Sequence, residues 1–217
     1  MVGMMKQMIL TAMEMMMGNL GTAKGVTFFD VETTSLDPTK SAILQIAIIT
    51  DKEDGTQEKW STKIKPRNVE LRFADKQALK ICGYSDEEWA DAPTFEDVAH
   101  EIAKRLVWGP LVGHNIQFDI AHLTAAFNRR GWCQIERNDN IYEVLQNKEK
   151  KYKFGYPAID TCALAYIFLP HERQNLDQLR TALSINTGKS HDALSDAMAC
   201  REVFYNVISS KIDADIV

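Results

Sequence analysis

Two carboxylates, Asp30 and Glu32, stand two positions apart in the run Gly25-Val-Thr-Phe-Phe-Asp-Val-Glu-Thr-Thr-Ser-Leu36, which reads as an apolar strand. Side chains at i and i+2 share one face of a strand. Two adjacent negative charges on one face repel, and a cation offsets that repulsion most simply, so the pair reads as half of a metal site. The other half lies far along the chain. Asp119 follows the strand-to-helix run Leu111-Val-Gly-His-Asn-Ile-Gln-Phe, and Asp196 closes Ser190-His-Asp-Ala-Leu-Ser-Asp, five positions after His191. Taken singly, Asp119 reads as a helix cap and Asp196 as part of a solvated helix face. Their joint order points to an all-oxygen site for hard divalent ions with an imidazole beside it.

The elements that must position these groups follow from periodicity. Val26 to Val31, 42–50 and 57–65 read as strands, with a turn at Glu53-Asp54-Gly55, and together suggest an antiparallel meander. Helices are expected over 74–81 and 95–107, the second opened by Thr94 and Asp97 at capping-box spacing. A short strand at Leu111-Val112 leads to a helix over about 118–130. A polar, charged segment fills 133–157, then a strand at Ala158-Ile159 and helices over 161–168, 175–183 and about 193–211. On one continuous helix, groups five residues apart point about 140° from each other. The last helix must therefore begin at or after His191 if both His191 and Asp196 are to face the same ions.

Composition sets the class. A chain of 217 residues with 45% apolar and 25% charged content is that of an ordinary globular protein with one main domain. Its four cysteines, Cys82, Cys133, Cys162 and Cys200, form no C-x-x-C pair, which argues against structural zinc and for a reducing, cytoplasmic setting. Residues 1–24 are crowded with methionine and are expected to form a flexible or weakly helical extension ahead of a domain over 25–217. Glu14 interrupts their apolar run, so neither a signal peptide nor a membrane span is expected. The net charge of -5 is unusual for a nucleic-acid protein. Part of it is the acidic cluster itself, which bound cations would neutralise.

The ordered motifs Asp-x-Glu, Gly-His-Asn-x-x-x-Asp and His-x-x-x-x-Asp, over roughly residues 25–208, resemble the DEDDh, or DnaQ-like, 3′-to-5′ exonucleases, a family that includes the proofreading epsilon subunits of DNA polymerase III. The resemblance implies an α/β, ribonuclease H-like fold with a five-stranded mixed sheet in the order 3-2-1-4-5. It implies two ions, Mg²⁺ or Mn²⁺, held by Asp30, Glu32, Asp119 and Asp196, with His191 as general base. Asp30 would bridge both ions. The implied activity is hydrolysis at the 3′ end of single-stranded or frayed nucleic acid, releasing nucleoside 5′-monophosphates, with DNA favoured over RNA and a polymerase or other replication protein as a possible partner. The alternatives are an exoribonuclease that trims RNA and a non-catalytic binding module on the same fold.

Thr33, Thr34 and Leu36 are candidates to meet the terminal nucleotide, or else form only a turn. His114 and Asn115 are candidate contacts as well, although Asn115 has a second reading as a tie for the loop backbone. The chain departs from the family where Ile81-Cys82-Gly83 replaces a frequent His-Gly, so substrate preference is expected to change while the chemistry survives. Between Tyr142 and Tyr156, Lys148, Lys150, Lys151 and Lys153 interleave with Tyr152 and Phe154. That pattern suits a single strand, and it equally suits a solvated loop whose aromatics pack on the domain. DNA versus RNA, and the oligomeric state, are not encoded in any motif.

Overall fold

A computed structural model describes residues 25–137, 141–146, 152, 154, 158–169 and 174–214, and the Met-rich extension lies outside them. Among the described residues, seven strands form two sheets. β1 (Gly25–Thr33), β2 (Ile43–Lys52) and β3 (Gln57–Lys63) make the expected antiparallel meander, while β4 (Leu111–Gly113) and β7 (Ala158–Asp160) run parallel to β1 on its other side. The main sheet has the order β3-β2-β1-β4-β7, which is the implied 3-2-1-4-5 once an inserted hairpin is set aside. This additional hairpin, β5 (Trp132–Arg137) with β6 (Ile141–Gln146), falls mostly in the segment read as polar and charged, where no strand was assigned.

The alternation of β1 divides its side chains between two layers. Phe29 and Val31 join a core with α3 (Phe95–Arg105) and α4 (Ile116–Arg129), whereas Val26 and Phe28 pack on the other face against Ala193, Ala197, Cys200 and Phe204 of α7 (Ala193–Ala214). Asp30 and Glu32 continue the Val26-Phe28 row, so the fold aims them at the layer that carries Asp196. A bulge between Glu32 and Thr33 ends the regular pairing with β2 just past the acidic pair.

The remaining helices are short. α1 (Asn68–Leu71) was not expected, and α2 (Lys76–Ile81) begins two residues later than its periodicity suggests because the Asp75 side chain accepts from the N–H groups of Gln77 and Ala78. Thr94 and Asp97 form the reciprocal capping box at the start of α3. α5 (Thr161–Phe168) and α6 (Leu176–Ala182) precede α7. Among the described residues no helix is long and apolar enough to cross a membrane.

Gly113 closes β4 at the point where the chain turns into α4. A Cβ there would lie 2.8 Å from Ile116 Cγ1 and 3.3 Å from its Cα, closer than packed atoms tolerate. Gly113→Ala is expected to lower stability by about 1–3 kcal/mol, measurable as a reduced denaturant midpoint with an unchanged slope.

Candidate active site

Three separate segments meet at one end of the sheet. β4 pairs with β1 only at Thr27 and Phe28, so the backbone of β1 beyond Phe28 lacks a strand partner on that side. The first turn of α4 supplies one instead: Asp119 Oδ1 accepts the Val31 N–H at 2.9 Å across 88 residues. This bond fixes Asp119 beside Asp30 and Glu32, and its carboxyl is buried. Asp196, in the first turn of α7, approaches from the opposite layer.

His191 lies ahead of α7 with a left-handed backbone, φ 60°, as the spacing argument requires. Its N–H donates to Asp196 Oδ2 at 3.0 Å, and Asp196 in turn caps the loop. Ligating atoms of Glu32, His191 and Asp196 lie within 4.8 Å of one another. Asp30, Glu32, Asp119, His191 and Asp196 all line one cleft of roughly 380 Å³, together with Thr33, Leu36, His114 and Asn115. Five motif residues separated by up to 166 positions are thus brought together.

The electrostatics are those of a site built for cations. Burial pushes the Asp30 carboxyl well above the usual carboxylate range, and the charges of Asp119, Asp196 and Glu32 push it further, against a smaller opposing pull from Arg180. Burial also raises Asp119 strongly, although the Val31 N–H acts the other way. Asp196 is raised to about 6, by burial first, with Arg180 opposing. Four carboxylates therefore face one buried guanidinium, an excess of negative charge that the folded chain does not itself neutralise. Oxygen donors with one imidazole match hard divalent ions, so the residues present fit such a group.

The flanking candidates divide. Leu36 is 84% exposed at the lip of the cleft, where an apolar side chain ordinarily would be covered. The Thr33 hydroxyl donates to Ser35 O at 3.0 Å and shapes the turn beneath Leu36. Thr34 lies outside the cleft lining; it is fully buried, and its hydroxyl accepts the Ala42 N–H at 2.9 Å. His114 shares a 3.1 Å hydrogen bond with Thr161 and is held neutral by burial, which lowers its pKa. Asn115 adopts the left-handed region, φ 59°, and its backbone N–H donates to Asp160 Oδ1 at 2.9 Å, which supports its role as a tie for the loop.

Cys82 occupies the place where the resemblance leads one to expect histidine. Its thiol donates to Glu32 Oε2 at 3.2 Å and lies 3.8 Å from Thr33 O. Burial, then the Glu32 charge, pushes that thiol up to about 12, so it stays a donor. Arg180 was not singled out from the sequence. The available signal was its position four residues after Leu176, a lone cation next to Leu179 on a helix otherwise packed by leucines. In the Lys-rich segment, Tyr152 is buried and stacks on Phe127 with centroids 4.0 Å apart, so its ring is not free for a base. Lys148, Lys150, Lys151, Lys153 and Tyr156 lie outside the described residues.

Comparison with known proteins places the chain in a family. The model of the RNase T exonuclease family matches residues 27–204. The epsilon subunit of DNA polymerase III from Treponema pallidum is 25% identical over 186 residues, covering 84% of this chain and 76% of that protein. The Escherichia coli epsilon subunit is 30% identical over 135 residues, 61% of this chain and 49% of that one. The PolC-type DNA polymerase III of Oceanobacillus iheyensis is 26% identical over 87% of this chain, which spans only 12% of its length. Among solved structures, E. coli exonuclease I in complex with a dT13 oligonucleotide superposes with a TM-score of 0.66 at 18% identity, over 85% of this chain and 41% of that one. Exonuclease X in complex with 5′ overhanging duplex DNA gives 0.59 at 21%, over 85% and 92%. These likenesses share the ribonuclease H-like sheet described above, and the match over 27–204 means that the chain belongs to the RNase T family of exonucleases.

Proposed function

We propose that residues 25–217 form a metal-dependent 3′-to-5′ exonuclease domain that removes nucleoside 5′-monophosphates from single-stranded or frayed DNA ends. The observation that carries this reading is the convergence of Asp30, Glu32, Asp119 and Asp196 from distant segments on one cleft with His191 at its edge. A general binding module would have no need of four buried or half-buried carboxylates gathered so closely that three of them, Asp30, Asp119 and Asp196, are raised by burial and by neighbouring negative charge.

Asp30, Glu32 and Asp196 would hold one divalent ion, and Asp30 with Asp119 a second, Mg²⁺ or Mn²⁺ in each case. Bound there, such ions would activate a water and neutralise the leaving oxygen of an in-line displacement. His191 sits on the loop side of the cleft, where its imidazole accepts a proton from the attacking water. Leu36 offers an apolar face against the terminal base, and Thr33, which lines the cleft beside the acids, lies on the side that the sugar would approach. Slight preference for DNA is supported by the names and ligands of the relatives, which are DNA polymerase III subunits and an exonuclease bound to dT13. A polymerase is accordingly the partner class this reading favours. The free thiols of Cys82, Cys162 and Cys200 support a reducing, cytoplasmic setting.

The test is digestion of matched 5′-labelled DNA and RNA strands with Mg²⁺ or Mn²⁺. Stepwise shortening from the 3′ end, mononucleotide products and complete loss of activity with chelator are expected. Cleavage that persists after thorough chelation, or internal cuts, would overturn the reading.

A further inference from the structure

Outside the motif residues, the group most deeply built into the site is Arg180. Its side chain is 8% exposed, yet it is a guanidinium cation with five N–H donors to satisfy. Nη2 donates to Asp196 Oδ1 at 2.6 Å and to Ser195 Oγ at 3.0 Å, while Nη1 donates to Ser190 Oγ at 2.8 Å and lies 3.6 Å from Asp177. Ser190 Oγ also donates to Asp177. One guanidinium thus joins α6, the residue before His191 and the first turn of α7. Its Nε is buried without a partner among the described residues.

Stability is a poor reason for this arrangement. A buried ion pair gives back little more than the desolvation of its charges, and an unpaired N–H adds to the cost. Geometry is a better one. The two amino groups of the planar guanidinium reach different partners, Nη2 anchoring Asp196 Oδ1 and Nη1 holding Ser190, and the anchored carboxylate is one that faces Glu32 and His191. The other oxygen of Asp196 holds the His191 N–H, so the guanidinium, the acid and the loop form one chain of contacts. The same positive charge must repel any cation that Asp196 shares.

We propose that Arg180 is a positioning residue of this site, presetting Asp196 and the loop bearing His191 while its fixed charge weakens the hold of the site on the divalent ion. The proposal rests on the nuclease reading above. It assigns opposite signs to two measurable quantities, which a merely structural role would move together. Removing the charge tightens metal binding, and releasing Asp196 and the loop slows turnover.

Mn²⁺ binding, followed at pH 8 by the electron paramagnetic resonance of free Mn²⁺, should be measured beside kcat and KM on a single strand. Arg180→Met is expected to bind Mn²⁺ about fivefold or more tightly and to lose kcat by about tenfold or more with KM nearly unchanged. Arg180→Lys, which keeps the charge without the fork, is expected to bind Mn²⁺ as the wild type does and to recover only part of kcat. Ser190→Ala, which removes the hydroxyl that ties the loop to Arg180 and Asp177 and leaves the Arg180 charge in place, is expected to slow turnover with Mn²⁺ binding unaltered. Arg180→Gln retains an N–H donor without charge and replaces Arg180→Met if that variant does not fold. Mn²⁺ binding that weakens or stays constant in the uncharged variants would overturn the proposal, as would failure of both to fold. Absence of Mn²⁺ binding by the wild type would instead refute the nuclease reading itself.

Discussion

Asp30→Asn is expected to cut turnover by about a thousandfold or more and at the same time to raise the melting temperature of the metal-free protein by about 2–4 °C or more. The two effects have one cause. Asp30 stands on the central strand with Glu32 beside it, Asp119 bonded to the backbone of the next residue, and Asp196 across the cleft. Its ionised form is disfavoured by burial and by three like charges, with Arg180 opposing them. An amide of the same shape relieves that repulsion in the folded chain without opening a cavity, so the apo fold gains. In exchange the site loses the carboxylate that would bridge both ions in the proposed mechanism, and charge developing in the transition state would go without its stabiliser. Thermal melts should cross over: with Mg²⁺ in excess the wild type gains stability by mass action and the variant gains far less. A variant that is inactive because it is less stable in chelator would contradict this account, since it would locate the effect in folding rather than in charge.

The same tension explains what was legible in the chain. Asp30 and Glu32 were readable because strand geometry makes spacing two a statement about direction, and their row, begun by Val26 and Phe28, does face α7. The position of His191 was readable for a similar reason: no continuous helix can aim it and Asp196 together, and α7 begins at Ala193. Local chemistry also fixed the start of α3, where Thr94 and Asp97 satisfy each other's backbone. The β5–β6 hairpin was not readable. Two strands alone are marginal in water, and this pair lies against α3 and α4, a dependence that no local pattern announces. α1 escaped for a related reason. It is a single turn, and its buried Glu70 is held by Arg130 at 3.2 Å from far along the chain. Arg180 and the Cys82 thiol belong to the same class, because their roles exist only through partners that the fold delivers. Functional direction was thus encoded locally, while the groups that tune the carboxylates were encoded only in three dimensions.

The stabilisation conferred by Mg²⁺ is expected to be large at pH 8, to shrink steeply through about pH 6, and to be nearly gone at pH 5. Asp30, Asp119 and Asp196 are all raised, Asp196 to about 6, so between the unfolded carboxylate value and these folded values the native state binds more protons than the unfolded one. Stability of the metal-free protein from these groups is therefore greatest at low pH and is lost as pH rises through each folded pKa. For Asp196 alone the loss amounts to about 3 kcal/mol once it is fully ionised. His114 and His122 act oppositely, since burial lowers both, and the stability they contribute is recovered as pH rises towards their unfolded value. Their contribution is common to the metal-free and metal-loaded protein, so it cancels when the two melting curves are subtracted. What survives in the difference is the competition between protons and Mg²⁺ for the carboxylates: each proton displaced makes apparent affinity fall about tenfold per pH unit below the relevant pKa. Paired melts with chelator and with Mg²⁺ from pH 5 to pH 8 measure that difference directly. An increment independent of pH across this range would mean that the ions bind elsewhere than at the buried acids.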